Sequence, residues 1–122
     1  MSNRQDARVK RIRSELQSAY NILQQIELSS NLLKESKLDL WKAKCRLELA
    51  ILLIKLAANV DYEERRARYT IDGEPLKIIG KAKEFISDVL MMDSNKDILG
   101  SIEKVRRARD LLHLLEEKTE RL

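Results

Sequence analysis

Cys45 and His113, the single cysteine and the single histidine, are the two side chains that could serve as a nucleophile and its base at neutral pH. Cys45 abuts the most apolar run of the chain, where a buried thiol stays protonated and inert, so a small buried hydrophobe is expected instead. A structural zinc site takes about four Cys or His ligands, and one of each does not supply it. Glu117 and Glu120 make one Glu-x-x-Glu near the C-terminus, without the second motif that a dinuclear bundle site uses. Glu84 and Asp88, four residues apart, are expected to point away from the apolar face of their helix. Gly73, Gly80 and Gly100 are isolated from one another, so no glycine-rich loop cradles a phosphate. Neither a metal, a cofactor nor a small-molecule substrate is expected, and the balance leans against an enzyme.

Cations carry the remaining chemistry. Residues 1–30 hold five Lys and Arg against three Asp and Glu, and residues 31–60 hold six against three. Residues 61–92 hold six against seven and residues 93–122 seven against seven, so the net +4 lies wholly in the first half. Arg4, Arg8, Lys10, Arg11 and Arg13 meet only Asp6 in the first thirteen residues. Cations at a helix N-terminus oppose the macrodipole at a few tenths of a kcal/mol each, so the cluster calls for another cause. With Lys37 and Lys44 it forms a candidate basic face on helices one and two, suited to the phosphates of RNA or DNA. The competing reading is an ordinary solvated helix surface. Arg65, Arg66 and Arg68, and likewise Arg106, Arg107 and Arg109, have Glu63, Glu64, Glu103 and Asp110 nearby to neutralise them. Aromatic residues are 4% of the chain, too few for a platform that stacks single-stranded bases.

The segment RRARDLLH, Arg106 to His113, resembles the motif of the all-helical HEPN-type ribonucleases, in which an Arg precedes a His by four to six residues. Here Arg106 and Arg107 stand six and five intervening residues before His113. The polar residue that commonly follows the Arg is missing unless Arg107 fills that place. The resemblance covers eight residues. It implies that Arg106 or Arg107 and His113 act on an RNA 2′-hydroxyl across a dimer cleft.

The elements that would position these groups are helices. Leu47 to Val60 is apolar at eleven of fourteen positions, with only Glu48 and Lys55 charged, and its Leu and Ala content favours helix. Apolar around nearly its whole circumference, it should be covered on several sides. Val9, Ile12, Leu16, Ala19, Leu23 and Ile26 alternate by three and four, the seam of helix one over Asn3 to Glu27. Helix two begins either near Ser30 or at Lys37 and ends near Asn59. Asp61 and Glu64 suggest a short fifth helix within 62–69, followed by the Asp72-Gly73 turn. Pro75 opens helix three, which runs to Met92 with Leu76, Ile79, Ala82, Ile86 and Val89 on its apolar face. Helix four continues to Arg121 on Ile98, Ile102, Val105, Leu112 and Leu115, a stripe broadened by Ala108, Leu111 and Leu114.

The expected fold is all-α, a single domain over residues 1–122 folded as an up-and-down antiparallel four-helix bundle. No run is long enough to span a bilayer, which takes about 20 apolar residues. The unpaired cysteine and the absence of an apolar leader suggest a reducing cytoplasmic compartment. Glu, Lys, Arg and Ile outweigh Gln and Asn, as in heat-adapted proteins. The functional expectation is a non-enzymatic assembly subunit, joined to itself or to a larger complex, with its basic face toward RNA or DNA. The alternative is a purely structural protein–protein interaction subunit, with Trp41, Leu28 or Ile22 buried only in the assembly.

Overall fold

The computed structural model describes residues 3–28, 37–58, 74–92 and 98–120. They form α1 (Asn3–Leu28), α2 (Lys37–Ala58), α3 (Pro75–Met91) and α4 (Ile98–Glu120), an all-α four-helix fold with no strand among the described residues. The short helix expected within 62–69 and the earlier start of helix two near Ser30 lie outside the described residues.

Helix packing follows apolar spacing. Leu16, Ala19, Leu23 and Ile26 of α1 are all buried, as the alternation of three and four requires of a seam. On α4 the broad stripe Ile102, Val105, Ala108, Leu111, Leu112 and Leu115 is buried. Fully burying each Leu, Ile or Val contributes roughly 1.5–3 kcal/mol, so this one core outweighs any surface ion pair. α1 packs on α2, α3 on α4, α2 on α4 and α1 on α3. The order around the bundle is therefore α1, α2, α4, α3. Consecutive α2 and α3 stand at opposite corners, with residues 59–73 between them in sequence.

Pro75 occupies the first turn of α3, where its missing N–H costs nothing, and Glu74 precedes it with φ −57° and ψ 144°. The N–H of Met92 closes the other end on the carbonyls of Asp88 and Val89. One expectation for this helix shifts. Leu76 is exposed and Ile78 is fully buried in its place. Ile78, Ala82, Phe85, Ile86 and Val89 centre the stripe, leaving Leu76 beyond its edge.

α2 departs more from expectation. Its inward face, Leu40, Ala43, Leu47, Ala50, Ile51 and Ile54, is buried against its two neighbours, α1 and α4. Nothing among the described residues covers the opposite side. An apolar circumference here means two apolar faces, only one of them inside.

Candidate interaction surfaces on α1 and α2

Geometry divides the candidate basic residues into two groups. Arg8, Lys10, Arg13 and Lys37 are exposed and have no ion-pair partner among the described residues. From Ala7 to Ser14 no residue of α1 is buried, and Val9 and Ile12 are only partly covered. The basic end of α1 thus lies beyond the tightly packed core. Arg4 belongs to the same helix, its side chain lying outside the described set.

Arg11 and Lys44 are engaged within the fold. Lys44 of α2 pairs with Glu116 of α4 at 2.9 Å, with less than a fifth of either side chain exposed. Arg11 donates through Nε to Glu15 at 3.1 Å, and Arg46 of α2 donates to the other oxygen of the same carboxylate at 2.9 Å. The Glu15 side chain is 5% exposed, whereas Arg11 and Arg46 are 62% and 48% exposed. A buried carboxylate is tolerable here because each of its oxygens receives a charged donor. The exposed guanidinium groups keep further N–H donors facing outward. Arg8, Arg11 and Glu15, spaced by three and four, share one stripe at the α1–α2 seam, and Lys10 and Arg13 lie off it.

The outer face of α2 is the second surface. Leu38, Trp41, Leu52 and Leu56 are 59%, 53%, 52% and 64% exposed. Cys45 and Leu49, both half-buried, fill the gap between them. The spacing 38, 41, 45, 49, 52, 56 advances by three or four residues, which is one helical stripe opposite the core. Cys45 is therefore not the buried hydrophobe expected from its neighbours. Lys37, Lys42, Arg46 and Lys55 edge this stripe, and Asp39 and Glu48 are the carboxylates among them. Of the other apolar residues named for an assembly surface, Leu28 is exposed at the end of α1, while Ile22 packs against the core.

The segment that resembles a ribonuclease motif is placed differently. Arg106 is buried and pairs with Glu103 at 3.1 Å, and Arg107 pairs with the same carboxylate at 3.2 Å. His113 is exposed and faces Glu117 at 3.2 Å, one turn further along. Glu84 and Asp88 point outward to Lys81 and Lys104. Among the described residues no three of His, Cys, Asp and Glu are grouped to hold a metal, and no helix is long and apolar enough to cross a membrane.

The outer stripe of α2 was legible as apolar residues but not as an outer stripe. No protein-family description, curated protein or solved structure matches this chain.

Proposed function

We propose that this protein is a non-enzymatic helical assembly subunit that meets a protein partner through the outer face of α2. The supporting observation is the bifacial apolar character of that helix. Four large apolar side chains more than half exposed on one stripe are costly to leave in water, and such patches mark interaction surfaces. The test compares what co-purifies with the wild type and with a Leu38→Glu/Leu52→Glu variant whose helicity is unchanged. The proposed role requires a defined component, or a second copy, held by the wild type and lost from the variant. Identical companions in both preparations, with a monomer mass by light scattering, would remove it.

A second reading rests on a different observation, the exposed Arg8, Lys10 and Arg13, which have no ion-pair partner among the described residues. These are free to neutralise phosphates of RNA or DNA. Binding of labelled RNA and DNA duplexes should then weaken steeply between two salt concentrations. An Arg8→Glu/Lys10→Glu/Arg13→Glu variant should lose it, whereas Lys44→Gln, which removes an internal pair, should retain it. Salt-independent binding counts against this reading.

A further inference from the structure

We infer that the outer face of α2 receives an acidic amphipathic helix of a partner protein. The inference rests on the assembly role proposed above and adds the chemistry of the occupant. A stripe that follows one helix from Leu38 to Leu56 is matched in shape by another helix laid along it, with anchors repeating every three or four residues. Charge sets the kind of helix. Lys37 and Lys55 border one side of the stripe and Lys42 and Arg46 the other, four cations against two outward carboxylates, Glu48 on the first edge and Asp39 on the second. A ligand helix with Asp and Glu beside its apolar anchors meets opposite charge on both edges.

A second copy of this chain fits less well. Laid antiparallel, with Leu38 against Leu56 of the second copy, α2 would set Lys37 beside Lys55 at both ends and Glu48 beside its own counterpart. This antiparallel arrangement sets like charges together. A parallel pair would set the two different edges side by side, with Glu48 near Arg46, and there it is area that argues against a second copy. Nineteen residues of helix cover about 28 Å by roughly 10 Å, or about 300 Å², against the roughly 800 Å² per partner of a standard stable interface. That footprint suits one docked helix of limited affinity.

Trp41, the only tryptophan, lies within the stripe and reports on its occupancy. The experiment titrates the full chain with a designed three-heptad peptide carrying Leu anchors and Glu flanks, and with a twin carrying Lys in place of each Glu. Expected are a saturable blue shift of Trp41 emission with the Glu peptide and at least tenfold weaker binding of the Lys twin. Lys37→Glu/Lys42→Glu should weaken the Glu peptide at least tenfold, and Leu52→Asp should abolish its binding. Equal affinity for the two peptides overturns the inference, as does a shift that survives Leu52→Asp. A dimer mass with Trp41 already emitting in the blue also overturns it, because a second copy then covers the stripe and the assembly role stands. A monomer that binds neither peptide and loses no companion on Leu38→Glu/Leu52→Glu removes both.

Discussion

Glu15 of α1 accepts a hydrogen bond from Arg46 of α2 at 2.9 Å, joining the two helices at a nearly solvent-free carboxylate. Arg11 supplies a second charged donor from one turn away on the same helix. Either arginine alone leaves the carboxylate with a partner, so Arg11→Ala and Arg46→Ala should each cost less than about 1 kcal/mol. Removing both strands a buried charge and should cost about 3–5 kcal/mol. Urea unfolding of the four-member cycle measures the coupling, and additive losses would refute this account.

Leu47 and Leu52 are leucines of one helix on opposite sides of it, one fully buried and the other half exposed. Leu47→Ala should destabilise by about 2–5 kcal/mol, the transfer and cavity cost of a core leucine. Leu52→Ala should stay within about 0.5 kcal/mol in the isolated protein. A large loss at Leu52 would mean that the stripe is part of the folded core.

Gly80 sits inside α3, and a Cβ built there meets nothing within 4 Å. Gly80→Ala should therefore raise stability by roughly 0.5–1 kcal/mol, through the entropy that glycine loses in a helix. Thermal unfolding checks the sign. A lower Tm would show that the open space beside α3 is needed.

The inter-helix ion pairs bear on chain direction. Glu15 with Arg46, Lys44 with Glu116, Asp88 with Lys104, and Glu27 with Lys83 define relative heights along the bundle. At about 1.5 Å per residue these heights agree with one another when successive helices alternate in direction. Spin labels at Lys10 and Lys77, in a Cys45→Ser background, should then lie closer than labels at Lys10 and Met91. The difference should approach the roughly 21 Å that fourteen residues of helix rise. The reverse order would exclude an up-and-down course.

Much of this fold is written in spacing. Leu16 to Ile26 and Ile102 to Leu115 recur at three and four residues and are buried accordingly. Spacing states which residues share a face, but not whether a neighbour covers that face. For this reason Leu52, Leu56 and Cys45 read as interior while standing at the surface or half-way into it. Long-range pairing is equally silent in a sequence. Lys44 looks like one more surface cation until Glu116, 72 residues away, is seen to hold it. Arg8, Lys10 and Arg13 could be recognised because their lack of acidic partners is already a local property of the segment.

The order α1, α2, α4, α3 around the bundle also has a bearing on how the chain folds. Each helical hairpin closes over a short stretch, residues 29–36 in one and 93–97 in the other. The seams between hairpins join positions as distant as Lys44 and Glu116. Loop-closure entropy makes the local pairs quick to form and the distant ones slow. Two separately nucleated hairpins should therefore collide and dock as the late event. Substitutions at the α2–α4 seam would then speed unfolding more than they slow refolding.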